Sequence, residues 1–348
     1  MKKILLKREE NGFRYYRANL HCHSNLSDGK KTPEQLKEDY KSHGYSVVAF
    51  TDHDVFLQHN DLTDGEFLAL NGFEVEINEK NPPSKYEKRC CHMCFVAKDP
   101  DTVITPCYHR EKYFFGNAVG YRDRVHFDES LPDYNRFYTE EGINDMIDKA
   151  HEGGFFVTYN HPYWSLERYP EYMRYKKQDA MEIVNFSCQA SGFDDDNGRV
   201  YEDLLCGGVR LYCIAADDNH NKVPDEDPHC DSYGGYIMIG ADKLEYKSVT
   251  EALEKGDFYA STGNYLHVGP QFRSIEYEDG IITVETSEVR EIALLTNCRP
   301  CYAEFPEEGK TISKATFNLP VNAKWFRFVI KDANGFKAYT NAYFNDTL

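Results

Sequence analysis

Through the first three quarters of the chain, short apolar runs alternate with segments of helical periodicity. Arg17–His23 is a strand-like run leading into a polar turn. After it, Thr32-Pro33-Glu34-Gln35 has the form of a helix start, with Thr32 as N-cap, Pro33 in the first helical position and Gln35 as the return partner of a capping box. Ser46–Phe50 reads as a buried strand ending at Thr51-Asp52-His53-Asp54, and Phe67–Leu70 leads to Gly72-Phe73-Glu74-Val75-Glu76. Ile143, Met146, Ile147 and Ala150 share one helical face behind Thr139, a suitable cap. Gly153-Gly154 closes that helix, and Phe155–Tyr159 runs as a strand into Asn160-His161-Pro162. Ala180–Phe186 and Leu211–Ala216 are further strands, separated by a helix around Arg199–Cys206. Ser248-Val249-Thr250-Glu251 opens a last helix that stops at Gly256.

Repeated strand-then-helix units predict an α/β fold with parallel strands and crossover helices, as an open sheet or a barrel. Polar clusters follow the strand runs, the face on which a β/α barrel builds its active site. From Phe272 onward the helical period disappears. An Asp279-Gly280 turn lies inside Ile275–Val284, and Asp332-Ala333-Asn334-Gly335 separates the strands Phe326–Ile330 and Ala338–Phe344, which predicts hairpins. The expected division is therefore residues 1–270 as the α/β unit and 271–348 as a small all-β, sandwich-like domain. Residues 98–138, irregular and rich in Tyr, Arg and Pro, are expected to form a lid or substrate loop.

Composition narrows the function. With 348 residues the chain has room for one large domain and a small one. Charged residues make up 28% and hydrophobic ones 41%, which suits a globular protein rather than a disordered one. No apolar run is long enough to span a membrane, and the start has only Ile4-Leu5-Leu6 before charge returns, too little for a signal peptide. A cytoplasmic protein is expected. Its 11 cysteines, odd in number and without a secretory signal, argue against a disulfide framework and for reduced, packed thiols. A formal charge of −18 disfavours a surface that tracks long nucleic acid. A small phosphorylated substrate remains compatible, because bound metal ions can supply the positive charge.

The candidate chemistry sits at the strand ends: His21, His23, Asp28, Asp52-His53-Asp54, Glu74, His92, His161, Asp218 and His220. Divalent metals in hydrolases are held by such nitrogens and carboxylates. Residues two apart on a strand point the same way, so His21 and His23 can reach one metal while Cys22 faces away, and Asp218 and His220 can converge while Asn219 turns aside. Each group alone is a weak signal. A His-x-His pair is as readily two polar residues on an exposed face, and Asp52-His53-Asp54 a locally capped turn. Their convergence at consecutive strand ends is what points to a site.

Taken in order, His21-Cys22-His23-Ser24, Ser27-Asp28-Gly29, Thr51-Asp52-His53-Asp54, Gly72-Phe73-Glu74, Asn160-His161-Pro162 and Asp218-Asn219-His220 resemble the motifs of the PHP (polymerase and histidinol phosphatase) superfamily. The resemblance extends from Arg17 to Gly263. It implies a distorted seven-stranded β/α barrel and up to three metals. By this resemblance His21, His23, Glu74 and Asp218 hold the first, Glu74 with His92 and His161 the second, and Asp28, His53 and His220 the third. The flank Cys90-Cys91-His92-Met93-Cys94 also admits a separate thiolate zinc site, but core or wall cysteines are the better reading, since thiolate sites come as separated pairs.

The expected activity is a metal-dependent phosphoesterase acting on a small phosphorylated metabolite, nucleotide or short oligonucleotide. Two or three divalent ions, Zn, Mn or Fe, would bind phosphate oxygens and activate water for in-line attack. No Gly-x-Ser-x-Gly nucleophile elbow is present. Asp52 and Asp54 are expected to orient histidine ligands. Arg110, Lys112, Arg122 and Arg124 are candidates to clamp a further phosphate, with His109 and His126 in the same stretch. Two other readings are a barrel metallohydrolase cleaving a non-phosphate bond and a degenerate barrel serving as a scaffold.

Overall fold

The computed structural model describes residues 2–299 and 302–348. The chain opens with strands β1 (Lys2–Leu6) and β2 (Arg14–Asn19). Helix α1 (Pro33–Ser42) begins as the sequence pattern predicts: Gln35 N donates to Thr32 Oγ1 at 3.3 Å, and Thr32 N donates to Gln35 Oε1 at 2.9 Å. Strands β3 (Val47–Phe50), β4 (Leu68–Asn78) and β5 (Cys90–Ala97) follow. Helix α2 (Glu140–Glu152), capped by Thr139, buries Ile143, Met146, Ile147 and Ala150 before β6 (Phe155–Asn160). Then come α3 (Tyr169–Tyr172), β7 (Ala180–Asn185), α4 (Phe186–Ala190), α5 (Gly198–Cys206), β8 (Tyr212–Ala216) and β9 (Gly235–Ala241). Helix α6 (Tyr246–Lys255) starts two residues earlier than its sequence signal, because the buried Tyr246 anchors its first turn by donating to the Ala97 carbonyl at 3.0 Å. It ends at Gly256, whose φ of +72° is a conformation that favours glycine, and β10 (Phe258–Thr262) follows.

Strands β2, β3 and β4 run parallel, β5 is antiparallel to both β4 and β6, and β6, β7 and β8 are again parallel. Helix α2 packs on β6 and α5 on β7. The two ends of this run meet just past β2 and β8. Cys22 bridges Asn219 in parallel, His23 N donates to Asn219 O at 3.1 Å, and Asp218 N donates to His21 O at 2.9 Å. The segments carrying the first and last histidine-bearing motifs are thus side by side, although about two hundred residues separate them in sequence.

Beyond β10 the described residues hold only strands and a terminal 3₁₀ turn: β11 (Phe272–Glu278), β12 (Ile281–Val289), β13 (Glu291–Thr296), β14 (Tyr302–Glu304), β15 (Ile312–Asn318), β16 (Trp325–Lys331), β17 (Lys337–Thr340) and β18 (Tyr343–Phe344). The hairpins β11–β12 and β16–β17 turn at Asp279-Gly280 and Asp332–Gly335. One sheet has the order β1-β11-β12-β15. The other strands extend the α/β sheet itself, since β17 pairs with β10, which pairs with β9 on β2. Leu6, Ile275, Val284, Ile292, Leu294, Phe317 and Phe328 fill the space between these layers. Hydrogen bonding thus crosses residue 270 where β10 meets β17, and the N-terminal strand pairs into the sheet of β11, β12 and β15.

Residues 98–138 contain a 3₁₀ segment at Gly116–Arg124. Ala118 and Val125 pack with Leu26, Val55 and Leu57 in a small apolar cluster of their own, so the segment lies over the loops that follow β2 and β3. Among the described residues no helix is long and apolar enough to cross a membrane, and every described cysteine is free. Cys301 lies outside them.

Candidate metal centre

Most site residues are set by local devices just past a strand, whereas Glu74 lies within β4 and His92 within β5. After β2 the chain stays extended, so His21 and His23 face inward and Cys22 packs with Leu36, Tyr40 and Val48 on the opposite side. Replacing Cys22 by Ser should leave turnover nearly unchanged while costing about 1–3 kcal/mol of stability for the buried hydroxyl, measurable by denaturant unfolding. Asp52 accepts from the backbone N–H and hydroxyl of both Ser24 and Ser27, at 2.7–3.1 Å, and so folds the turn that delivers Asp28. Asp217 does the same for the other end, accepting from Tyr233 N, Gly234 N and Gly235 N at 2.7–2.9 Å. Asp54, His161 and Asp218 have positive φ values of 57°, 28° and 54°. Such backbone costs of order 1–3 kcal/mol per residue and clusters where surrounding contacts enforce it.

The side chains converge on Glu74. Its Oε1 lies 3.3 Å from His21 Nε2, 3.0 Å from His92 Nδ1 and 3.3 Å from His161 Nε2. Its Oε2 lies 3.4 Å from His23 Nε2 and 3.1 Å from His53 Nδ1. Asp218 Oδ1 is 3.2 Å from His21 Nε2 and 3.1 Å from His23 Nε2. Asp28 Oδ2 is 3.3 Å from His220 Nε2, and its Oδ1 is 3.8 Å from His23 Nδ1 and 3.9 Å from His53 Nε2. The structure thus brings His21, His23 and Asp218 together, then Glu74, His92 and His161, and then His23, Asp28, His53 and His220. Asn219 turns aside, its amide oxygen accepting from Tyr40 Oη at 2.8 Å.

This donor set fits divalent cations. His21 Nε2 and His23 Nε2 are 3.1 Å apart and share Asp218 Oδ1. Metal–nitrogen and metal–oxygen bonds of about 2.1 Å give ligand–ligand edges of roughly 3.0–3.4 Å in octahedral or tetrahedral sites, the spacing found here. His53 Nδ1 and His92 Nε2 are buried without a hydrogen-bond partner. Glu74, Asp218, Asp28 and Glu182 have only histidines as ion-pair partners among the described residues. Burying that much negative charge without cations is costly.

The field registers on the histidines. Burial opposes charge on His23, yet hydrogen bonds and attraction from Asp218 and Glu74 push it up to about 10. Burial likewise opposes charge on His21 and His92, but nearby carboxylates, with a contribution from the cysteines, hold both well above the ordinary histidine range. His53 is pushed down to about 3, chiefly by burial. Asp28 and Asp218 resist their own burial and sit below the ordinary carboxylate range because of the surrounding histidines. A field that holds protons on several imidazoles equally favours a divalent cation in their place.

Two elements of the site differ from expectation. Arg110, Arg122 and Arg124 do not line the central cavity. The Arg110 guanidinium is taken by Asp133 at 2.7 Å and lies over Phe127, Arg122 binds the Arg110 carbonyl, and Arg124 lies over Tyr121. Lys112 is held by Asn135 at 2.8 Å. The cavity, about 490 Å³, has Lys222 as its one lysine or arginine among the described residues, with His229, Phe115 and Trp164 also in its wall. Second, neither Asp52 nor Asp54 hydrogen-bonds to a histidine; Asp54 instead pairs with the buried Arg136 from the 98–138 segment. Among the described residues no pair of cysteines converges with His92.

Sequence reasoning missed Glu182. Its Oε1 is 2.7 Å from His21 Nδ1, and its Oε2 accepts from His161 N at 2.8 Å and Asn185 Nδ2 at 2.9 Å. The signal was a single carboxylate inside the apolar run Ala180-Met181-Glu182-Ile183-Val184, fully buried in the fold. Glu182→Gln is expected to weaken metal binding about 10–100-fold, as measured by metal titration, because the carboxylate sets the His21 tautomer and ring orientation.

The profile of the PHP domain family matches residues 19–140. Over those residues the chain is similar to PHP domains. The match includes His21, His23, Asp28, His53, Glu74 and His92, while His161, Asp218 and His220 lie beyond it. Among solved structures the chain is similar to a two-domain protein from Bacteroides vulgatus containing a predicted PHP-like metal-dependent phosphoesterase. The identity is 15%, with 98% of each chain covered and a TM-score of 0.46. It is also similar to a protein from Bifidobacterium adolescentis provisionally named a metal-dependent phosphoesterase, with 15% identity, 59% of this chain and 88% of that one covered, and a TM-score of 0.37. A third is an amidohydrolase from Chromobacterium violaceum with bound sulfate and no metal, with 16% identity, 61% and 93% covered, and a TM-score of 0.36. No curated protein matches the chain.

Proposed function

We propose that this PHP-domain protein is a metal-dependent phosphoesterase that hydrolyses a small phosphorylated metabolite, nucleotide or short oligonucleotide. The observation that carries the reading is the convergence of the buried His21, His23, His53, Glu74, His92, His161 and Asp218 with the half-buried Asp28 and His220, all on strands β2 to β8 or in the loops behind them. In this reading the strands form a distorted seven-stranded barrel, with residues 271–348 as a second, all-β unit. His21, His23, Glu74 and Asp218 hold one ion, Glu74 with His92 and His161 a second, and Asp28, His53 and His220 a third, with Zn, Mn or Fe as the candidates.

Ions in such a cage supply Lewis acidity for phosphoryl oxygens and nucleophilic water. The chain's own residues do the rest. Glu182 and Asn160 fix the orientation of His21 and Glu74. Phe115, beside His53 with ring centroids 5.2 Å apart, and Trp164, 5.4 Å from His92, supply apolar wall that limits water around the ester. Lys222 offers an ammonium for a further anionic group of the substrate. A cavity of about 490 Å³ suits a small ester better than a long polymer.

Assays with p-nitrophenyl phosphate and bis-p-nitrophenyl phosphate, with and without chelator, test the reading. Chelator-sensitive hydrolysis of either ester is expected. Absence of such turnover on both, in metal-supplemented protein, would overturn it.

A further inference from the structure

Cys94 stands in the wall of the metal cage, not in the core behind it. Strand β5 puts Cys90, His92 and Cys94 on one face and Cys91, Met93 and Phe95 on the other. Those last three belong to the main apolar core, whereas Cys94 does not. In the sheet register Cys94 lies opposite Glu74 on β4 and opposite Thr158 on β6, so all three share the inward face. The Sγ atom, a ring nitrogen of His21 and a carboxylate oxygen of Glu74 all lie within 4.8 Å of one another.

A second observation concerns the polarity of that sulfur. Thr158 Oγ1 donates to Asn160 Oδ1 at 2.7 Å, which orients the amide. Asn160 Nδ2 then donates to Glu74 Oε1 at 3.2 Å and to Cys94 Sγ at 3.0 Å. The sulfur is therefore presented as an acceptor, beside a carboxylate treated in the same way. An N–H donor aimed at sulfur stabilises the thiolate, the form in which cysteine binds metals, against the burial that raises the Cys94 thiol above its ordinary range. In the same cage the buried Nε2 of His92 has no hydrogen-bond partner.

We propose that Cys94 is a sulfur ligand of the ion held by His21 and Glu74, making that position a mixed nitrogen, oxygen and sulfur site. On binding, the S–H bond breaks, its electron pair forms the sulfur–metal bond, and the proton leaves to solvent. A thiolate is a soft ligand, so this position should favour Zn or Fe over Mn. The inference rests on the metal reading of the cage, and the test separates the two.

The full-length protein is stripped of metal and loaded with cobalt(II), and its absorption spectrum is recorded for wild type, Cys94→Ser and Cys188→Ser. Cys188 is the control because it also lines the cavity. The expected result is a near-ultraviolet sulfur-to-cobalt charge-transfer band in wild type and Cys188→Ser that is lost in Cys94→Ser. Visible ligand-field bands without the charge-transfer band, or a band that survives in Cys94→Ser, overturn the role of Cys94 and leave the metal site standing. No cobalt uptake at all overturns both. Should Cys94→Ser not fold, X-ray absorption on wild type loaded with one equivalent decides. A sulfur scatterer at about 2.3 Å supports the proposal, and nitrogen and oxygen scatterers alone overturn it.

Discussion

Asp218→Asn and Asp218→Ala are both expected to reduce chelator-sensitive phosphoester turnover by about a thousandfold or more while leaving a folded protein. The carboxylate Oδ1 is the oxygen that His21 Nε2 and His23 Nε2 share, at 3.2 and 3.1 Å. Removing it strips one negative charge and a shared oxygen ligand from the group that would hold a cation. Lost metal-derived stabilisation of about 4 kcal/mol corresponds to about three orders of magnitude in rate. The fold should survive because the backbone link to the first motif, Asp218 N to His21 O at 2.9 Å, does not involve the side chain. Asn is the cleaner replacement, since Asp218 has a φ of +54° and Asn tolerates that region better than Ala. His23→Ala should behave alike. Circular dichroism alongside steady-state kinetics checks the prediction, and near-normal turnover in either variant means that the metal assignment is wrong.

Arg136→Met should destabilise the protein by about 3–5 kcal/mol, the typical result of removing one partner of a buried ion pair. Both Arg136 and Asp54 side chains are 5% exposed. The guanidinium binds both Asp54 oxygens, donates to the Glu76 carbonyl at 3.0 Å and lies 4.0 Å over the Tyr113 ring. Without it a carboxylate stays buried with no counter-charge, and burial already pushes Asp54 above its ordinary range despite Arg136. Asp54→Asn in the same background should recover part of the loss, because it removes the stranded charge and tolerates the φ of +57°. Denaturant unfolding of the two single variants and the double one gives the coupling. Additive losses would show that the pair is not coupled.

Much of the site could be read from sequence because strand and turn chemistry are local. The alternation at His21-Cys22-His23 turned Cys22 away from the two histidines, and it packs with Leu36 and Tyr40; the Thr32 to Gln35 box opened α1 as expected. Partnerships made across the fold were not legible in this way. Arg110, Arg122 and Arg124 looked like phosphate clamps because nothing in sequence shows that Asp133, a carbonyl and aromatic rings occupy them. Arg136, from the same segment, was overlooked although it pairs with the buried Asp54. Glu182 was missed because a carboxylate in an apolar strand has no short-range partner, and its meaning appears only when β7 lies beside His21. The N-terminal strand was assigned to the α/β unit for a similar reason: its pairing with β11 spans some 270 residues, and a five-residue strand carries no mark of its distant partner.

The most direct test of the account is the metal content of the purified protein, measured by inductively coupled plasma mass spectrometry after isolation without chelator. Two to three equivalents of divalent Zn, Mn or Fe per chain are expected, falling by at least one equivalent in Asp218→Ala. A wild-type protein that carries no divalent metal and takes none up on titration would contradict the account.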